Sequence, residues 1–241
     1  MKMTKNSNKT GVLQTFIGLF FPRICLSCDE HLLDSEQYLC SNCSKSLIFL
    51  DDFCPLCGAP KIEDKCKVCH TNEFLFDKAR SVFMFNKVVQ NMVHEFKYNE
   101  MTRIAKFFGT LSQEYVEKFQ PFDHIDYIVP VPLHKVKKRS RGFNQAEYIT
   151  REIAKNMNWK HLPSLIKRKR FTETQTKLNK EQRRKNVSLA FKINTKYEIK
   201  GKNILLVDDV FTTGSTANSI AAALKEKQVN KVYVFTIARA L

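Results

Sequence analysis

Two adjacent carboxylates followed by a run of hydroxyl side chains are the residues of this chain best suited to ligand chemistry. They lie in the stretch ILLVDDVFTTGST at 204–216, where an apolar segment ends in Asp208 and Asp209. A loop with four hydroxyls and one glycine follows, consisting of Thr212, Thr213, Gly214, Ser215 and Thr216. Backbone N–H groups in such a loop, together with the N-terminus of a following helix, present partial positive charge to an anion. The pattern predicts a phosphate-binding loop at the carboxyl end of a strand, where open α/β sheets bind ligands.

The two carboxylates must bind a different group of the ligand, because their negative charge repels a phosphate. Sugar hydroxyls, or a cation held by the ligand, provide one. A ribose 5-phosphate with free 2′- and 3′-hydroxyls satisfies the loop and the acids together. We therefore expect Asp208 and Asp209 to hold hydroxyls while the loop holds the phosphate.

All eight cysteines lie within residues 25–69 and form four CxxC pairs: Cys25/Cys28, Cys40/Cys43, Cys54/Cys57 and Cys66/Cys69. Two thiolates on one tight turn can face one ion, and two such turns complete a tetrahedral zinc site. The spacing predicts two structural zinc sites. Sequential assignment of the pairs is the simplest, and an interleaved assignment stays open.

A disulfide framework is the alternative for these cysteines, and it requires an oxidising compartment. The apolar run at 12–21 ends in Pro22-Arg23 without a small-residue cleavage site, which argues against a signal peptide. No window approaches the roughly 20 apolar residues of a membrane span. We therefore expect a cytoplasmic protein, at most peripheral to the inner face of the membrane.

The positive charge of the chain is concentrated in one segment. The formal net charge is +16, and residues 135–185 contain 17 basic and 4 acidic side chains. This segment indicates an anionic partner, either the phosphates of a small ligand or a nucleic-acid backbone, although a solvated basic surface is the alternative. The seven glycines form neither GxGxxG nor a P-loop, which disfavours a dinucleotide-binding Rossmann site and a P-loop NTPase.

Alternating strand and helix patterns surround the acidic pair and predict a mostly parallel α/β sheet with flanking helices. Strands are predicted at 79–85, 125–131, 204–207 and 232–237. Helices are predicted at 11–21, 87–98, 102–119, 145–156 and 217–225. The segment 164–195 is basic and has no long apolar run.

The stretch 204–216 resembles the thirteen-residue signature of the type I phosphoribosyltransferases, with Phe211 where an aliphatic residue is commoner. Further stretches are IVPVPLHKVKKRSRGFNQ at 128–145, RKRFTETQTKLNKEQRRKNVSLAF at 168–191 and FTIAR at 235–239. With the cysteine-rich segment, they make residues 16–240 similar to the ComF family of bacterial competence proteins, of the ComFC type.

The apolar residues at 11–21 predict an N-terminal amphipathic helix within residues 1–22. For the rest of the chain, the resemblance implies a double zinc ribbon at 23–76, a phosphoribosyltransferase-like domain at 77–241 and a ligand. The ligand would be phosphoribosyl pyrophosphate with Mg²⁺.

The resemblance also implies further ligand-binding residues. By position, the pyrophosphate loop is 131–134, which includes Pro132 and Leu133. The basic residues between two strands of the sheet would act as a mobile lid, which carries Arg168, Arg170, Gln175, Arg183 and Arg184. Arg139, Arg141, Asn144 and Gln145 are expected near the same site. Guanidinium forks suit a polyanion because they bind phosphate oxygens in pairs.

The favoured function is a phosphoribosyltransferase-like protein that acts in DNA uptake during competence, a role implied by the resemblance alone. Single-stranded DNA and other competence proteins are its expected partners. Turnover would displace pyrophosphate from the anomeric carbon, with Asp208 and Asp209 orienting the hydroxyls and stabilising positive charge on the ring. One alternative is a single-stranded nucleic-acid-binding accessory factor on an inactive fold, with Phe143 and Phe171 as candidate stacking residues. The other is a metabolic transferase whose acceptor the sequence does not mark.

Overall fold

The computed structural model of the protein describes residues 23–51, 54–60, 66–71, 73–98, 101–133, 139, 142–168 and 190–240. The helix predicted at 1–22 lies outside these residues. Among the helices of the described residues, none is long and apolar enough to cross a membrane.

Four parallel strands form the central sheet. The strands of the described chain are β1 (Lys78–Met84), β2 (Tyr127–Pro130), β3 (Ile166–Arg168), β4 (Phe191–Ile193), β5 (Asn203–Phe211) and β6 (Lys231–Arg239). The sheet has the order β1-β6-β5-β2, and every neighbouring pair is parallel. The two central strands, β5 and β6, are the longest and are mostly buried, as expected for strands covered on both faces. The predicted parallel α/β sheet is confirmed.

Helices cover both faces of this sheet. The helices of the described chain are α1 (Ser41–Lys45), α2 (Lys67–Thr71), α3 (Lys87–Tyr98), α4 (Met101–Phe119), α5 (Gln145–Met157) and α6 (Ser215–Lys225). Helices α3, α4 and α5 pack on one face, in the larger hydrophobic cluster. Helix α6 packs on the other face with β3 and β4, in a second cluster. The alternating apolar residues of β5 and β6 contribute to both layers, because successive side chains of a strand point to opposite faces.

Strands β3 and β4 form a separate antiparallel pair within the basic segment 164–195. They are three residues each and lack the long apolar run by which a strand is recognised in a sequence. Ile166, Phe191 and Ile193 nevertheless bury their side chains in the second hydrophobic cluster. The pair therefore holds Arg168 and Phe191, which lie on either side of residues 169–190, against the body of the protein.

The cysteine-rich segment packs along the open edge of β1. The N–H of Leu50 donates to the carbonyl of Val82 at 3.0 Å, and the N–H of Met84 donates to the carbonyl of Ile48 at 2.9 Å. Further along, the N–H of Ala79 donates to the carbonyl of Leu56 at 2.7 Å. These bonds occupy backbone groups that an exposed edge strand would present to other chains.

Candidate functional site

The acidic pair lies where β5 continues beyond the end of its neighbour β2. Strand β2 pairs with β5 as far as Pro130 opposite Val207, whereas β6 pairs with β5 up to Phe211. Asp208 and Asp209 therefore belong to β5 and line a cavity where β2 has ended. The strand is longer than the predicted 204–207 because the nine-residue β6 supplies partners that the local sequence does not reveal.

Both carboxylates are held by the backbone that follows them. Oδ1 of Asp208 accepts a hydrogen bond from the N–H of Asp209 at 2.9 Å, and Oδ1 of Asp209 accepts one from the N–H of Val210 at 2.8 Å. Desolvation by burial, and then repulsion from Asp209, raise the pKa of Asp208 well above its ordinary value. A ligand that brings a cation or hydroxyl donors would relieve this repulsion.

The hydroxyl-rich loop turns directly into α6. Gly214 is the N-cap residue, with φ of +74°, and no side chain caps the helix there. The helix begins at Ser215, two residues before the predicted start at Ala217. Thr213 Oγ1 and Ser215 Oγ lie 2.7 Å apart, and Thr212, Thr213 and Ser215 are exposed. The first turn of α6 therefore presents N–H and O–H donors to the neighbouring cavity, as a phosphate requires.

Gly214 is required by packing as well as by its backbone angle. A Cβ added to Gly214 would lie 2.6 Å from Cζ of Phe211 and 3.1 Å from Cε1 of Phe74. Phe211 is 3% exposed, so its ring forms the floor of the loop. The aromatic residue that departs from the signature is thus the one on which the loop rests.

Two adjoining cavities bring most of the expected ligand-binding residues together. One is about 230 Å³ and the other about 60 Å³, and both are lined by Val131, Asp208 and Thr216. The larger cavity is also lined by Pro132, Leu133, Asn144, Gln145, Arg168 and Asp209. The smaller is also lined by Thr212, Thr213, Gly214 and Ser215. The acidic pair and the hydroxyl-rich loop therefore line adjoining parts of one region of the surface.

The loop after β2 is fixed by the start of α5. The side-chain amide of Asn144 donates to the carbonyl of Val131 at 3.0 Å, and Asn144 and Gln145 are both buried. This bond holds one wall of the larger cavity against the helix that follows it.

The predicted arginines differ in position: Arg168 lines the larger cavity, Arg139 lines neither, and the others lie outside the described residues. Arg139 is exposed and does not line either cavity, so its role stays a prediction. Arg168 ends β3 beside the acidic pair, with its guanidinium 5.6 Å from the centre of the Phe191 ring. Several predicted residues lie outside the described chain: His134, Arg141, Arg170, Phe171, Gln175, Arg183 and Arg184.

The eight cysteines form two groups of four in sequential order. The first zinc site consists of Cys25, Cys28, Cys40 and Cys43, and the second zinc site consists of Cys54, Cys57, Cys66 and Cys69. In each group the sulfur atoms lie within 4.8 Å of one another. The interleaved assignment is thereby ruled out.

Sulfur separations test whether zinc fits these groups. Sγ of Cys28 lies 3.6 Å from Sγ of Cys40, and in the second site the Cys54–Cys69 and Cys57–Cys66 separations are 3.6 and 3.5 Å. A tetrahedron with Zn–S bonds of about 2.3 Å has edges of about 3.8 Å. A disulfide requires about 2.05 Å. The geometry fits two zinc ions and does not fit disulfides.

Two buried arginines contact the second zinc site, and the sequence interpretation did not single them out. Nη1 and Nη2 of Arg80 donate to the carbonyls of Cys54 and Pro55, at 3.2 and 3.0 Å. Nη1 of Arg239 donates to the carbonyl of Cys57 at 2.7 Å. Both arginines belong to strands of the central sheet, where an arginine surrounded by apolar residues is the signal for a buried charge with a specific partner.

Comparisons with known sequences agree with this architecture. Residues 16–72 match the double zinc ribbon domain family, and residues 119–240 match the phosphoribosyl transferase domain family. The fold and the cysteine geometry thus define a phosphoribosyltransferase-fold protein with a double zinc ribbon.

Curated relatives narrow this class to a family. The chain is 30% identical over 236 residues to competence protein ComFC of Bacillus subtilis, covering 90% of this chain and 95% of the relative. It is 29% identical over 227 residues to competence protein F of Haemophilus influenzae, covering 92% and 99%. It is 28% identical over 228 residues to the DNA utilization protein YhgH of Salmonella typhimurium, covering 92% and 100%. The chain belongs to the ComF family.

Proposed function

We propose that this protein binds phosphoribosyl pyrophosphate with Mg²⁺ and that this site serves DNA uptake during natural transformation. The observation that carries the proposal is the position of the acidic pair. Asp208 and Asp209 line one cavity, and Asp208 also lines the adjoining cavity formed by the hydroxyl-rich loop. A 5-phosphorylated ribose could direct its 2′- and 3′-hydroxyls at the two carboxylates and its phosphate at the loop.

Each part of the site has a distinct role in this proposal. The loop 212–216 and the first turn of α6 donate hydrogen bonds to the 5-phosphate. Asp208 and Asp209 accept hydrogen bonds from the ribose hydroxyls, since a carboxylate can only accept. The 131–133 segment and Arg168 lie on the side where the pyrophosphate would project.

Magnesium fits the same residues. Mg²⁺ is bound in proteins by one or two carboxylates together with the phosphates of a substrate. Asp208 and Asp209 repel each other, and a bound cation would reduce this repulsion. With Mg²⁺ bound, the charge of a departing pyrophosphate would be partly neutralised.

Transfer of the ribosyl group would follow from positioning and electrostatics. The bond from the anomeric carbon to the pyrophosphate oxygen breaks, that oxygen keeps the electron pair, and an acceptor forms the new bond. Asp208 and Asp209 would fix the ring and place negative potential beside the positive charge that develops on it. The acceptor stays open.

The competence role is supported by the names of the relatives. Two are named competence proteins and a third a DNA utilization protein. Single-stranded DNA and other uptake proteins are the partners that this role implies. The basic segment 135–185 is the candidate surface for a nucleic-acid backbone.

The test is a calorimetric titration of Mg²⁺–phosphoribosyl pyrophosphate into the zinc-loaded wild type and into Asp208→Asn/Asp209→Asn. Loss of two charge-assisted contacts is expected to weaken binding by roughly a hundredfold or more. Asp123→Asn is the matched control, because Asp123 is exposed and pairs with Lys231 at the opposite end of the sheet.

Two outcomes would redirect the assignment. If the folded wild type does not bind, the fold is a scaffold, and the nucleic-acid-binding alternative becomes the stronger one. That alternative predicts affinity for single strands that falls steeply with salt. If binding occurs and a ribosylated small molecule accumulates without any transformation defect, the metabolic transferase is the better assignment.

A further inference from the structure

We propose that Arg239 is a positioning residue that couples the second zinc site to the phosphate-binding loop 212–216. This inference rests on the proposed function of that loop. It predicts that a ligand in the loop stabilises the metal in the second zinc site, and that loss of this metal weakens ligand binding. The first zinc site is not coupled in this way.

Arg239 contacts one of the metal ligands, Cys57. Nη1 of Arg239 donates to the carbonyl of Cys57, and Nη2 lies 3.8 Å from Sγ of the same residue. Arg239 is 1% exposed, and Cys57 is fully buried. A four-thiolate zinc site is a dianion, so a buried guanidinium beside it both neutralises charge and orients a ligand.

Arg239 also contacts Phe211, the residue on which the loop rests. The guanidinium carbon of Arg239 lies 4.4 Å from the centre of the Phe211 ring, and the two residues are register partners in β5 and β6. The ring of Phe211 lies directly beneath Gly214. One side chain thus contacts a metal ligand on one side and the floor of the loop on the other.

A second connection runs parallel to the first. Phe74 packs against the small cluster around Cys54 and Cys57, and it stacks on Phe76 at 4.6 Å. Phe76 in turn meets Phe211 edge-to-face at 6.0 Å. A shift of the second zinc site therefore reaches the loop through packed rings as well as through Arg239, and tightly packed interiors transmit such strain.

The start of α6 is tied to the same segment. The side-chain amide of Asn218 donates to the carbonyl of Glu73 at 3.0 Å, and its oxygen accepts the N–H of Leu75 at 2.5 Å. Asn218 lies in the first turns of α6, whose N-terminus would hold the phosphate. The chain that leaves the second zinc site thus supports the loop from its outer side.

The first zinc site provides a matched control. There the side-chain amide of Asn91 donates to the carbonyl of Ser27 at 2.8 Å. Like the bond from Arg239 to Cys57, it joins a side chain to a backbone carbonyl of a CxxC turn. Asn91 belongs to α3, on the face of the sheet opposite to α6. Its replacement should disturb the first zinc site and leave the loop unchanged.

The experiment uses the full chain loaded with ¹¹³Cd, which gives one resonance for each four-cysteine site. Arg239→Met is expected to move one resonance and Asn91→Ala the other, which assigns them. Saturating Mg²⁺–phosphoribosyl pyrophosphate should then move the resonance assigned by Arg239→Met. In the zinc protein, a chelator competition should show that the ligand raises the affinity of that site for zinc by roughly fivefold or more, as for a typical coupling between sites. This gain should be lost in Arg239→Met and partly restored in Arg239→Lys, which keeps the charge.

A ligand-free arm separates failure of this inference from failure of the proposed function. Gly214→Ala forces a methyl group into the Phe211 ring, so it should move the second-site resonance with no ligand present. If ligand binds but neither the ligand nor Gly214→Ala affects the second site, the coupling is wrong and the proposed function stands. If no ligand binds, the proposed function fails, and the Gly214→Ala spectrum alone decides the coupling.

Discussion

The two zinc sites have the same ligands but lie against different parts of the molecule. Three cysteines of the first site, Cys25, Cys40 and Cys43, belong to the large hydrophobic cluster that also contains buried residues of α3 and α4, whereas Cys28 is exposed. Those of the second form a small cluster of their own, which Arg80 of the edge strand β1 and Arg239 at the end of β6 contact. The same metal chemistry therefore has different consequences, because the residues around the ligands decide what the metal supports.

The first site packs against the helical layer, and the second contacts the strand end that lies beside the loop 212–216. Leu26 and Leu39 flank ligands of the first site and are buried in the larger cluster. The carbonyl of Cys57, by contrast, accepts a bond from the last residue of β6, directly opposite Phe211. We therefore expect damage to the first site to lower mainly global stability, and damage to the second to lower mainly ligand affinity.

The largest effects are expected from removing one thiolate at each site. Cys28→Ser and Cys69→Ser replace less-buried ligands, so they disturb packing little. Each should lose one of two zinc ions, whose binding contributes about 10 kcal/mol or more in isolated zinc fingers. Zinc content, thermal unfolding and ligand titration should show Cys28→Ser with the lower melting temperature and Cys69→Ser with the weaker binding. Equal effects of both variants on both properties would remove the distinction between the sites.

A smaller effect is expected from the glycine at the loop. Gly214→Ala and Gly201→Ala both place a side chain at positive φ, with strain of about 1–2 kcal/mol each. Only at Gly214 does the new methyl group also meet a ring, since the space at Gly201 is open within 4 Å. Urea unfolding should show a larger loss for Gly214→Ala, and phosphate-ligand binding should fall at least about tenfold in that variant alone, the equivalent of about 1.4 kcal/mol. Similar binding by both variants would contradict the proposed packing under the loop.

The acids at the two ends of the sheet should respond to pH with opposite signs. The raised pKa of Asp208 means that the folded protein holds its proton more tightly than the unfolded chain does. Stability therefore falls as pH rises from the ordinary pKa of an aspartate to the raised pKa of Asp208. Asp208→Asn should remove this slope and stabilise the ligand-free protein at neutral pH, while weakening ligand binding.

Asp123 provides the opposite case. Its hydrogen bond from Lys231 lowers the pKa of Asp123, so its contribution to stability is present above the ordinary pKa and is lost as pH falls through the lowered one. Asp123→Asn should therefore destabilise the protein at neutral pH and leave ligand binding unchanged. Urea unfolding across pH for the wild type and both variants measures the two slopes, and slopes of the same sign would refute the assignment.

Much of this arrangement could be predicted from the sequence because it depends on local patterns. The helices predicted at 87–98, 102–119 and 145–156 agree with α3, α4 and α5 to within one residue at each end. Their apolar residues recur at helical spacing, and short-range periodicity is what a sequence displays most directly. The four CxxC pairs gave the metal chemistry for the same reason, although the sequential assignment needed the folded geometry.

What could not be predicted depends on contacts between distant residues. Strand β5 extends to Phe211 because β6 pairs with it over its whole length, and β3 and β4 pair across an intervening segment of 22 residues. The contact of Arg239 with Cys57 spans 182 positions. Phe211 could be recognised in the sequence as a departure from the signature, but its role as the floor of the loop follows only from tertiary packing.

The smallest expected effect completes the comparison at the first zinc site. Asn91→Ala removes one hydrogen bond to the carbonyl of Ser27, which should lower the free energy of unfolding by about 1 kcal/mol. Metal release from the first site should accelerate, whereas ligand affinity should not change, because α3 lies on the face of the sheet opposite to α6. Arg239→Lys is expected to weaken ligand binding even though it keeps the charge. Comparing the two variants separates the loss of a hydrogen bond to a CxxC turn from the loss of the contact between the second zinc site and the loop 212–216. If Asn91→Ala weakened ligand binding as much as Arg239→Lys, both zinc sites would affect the loop 212–216 equally. Arg239 would then have no special role in coupling a zinc site to the loop.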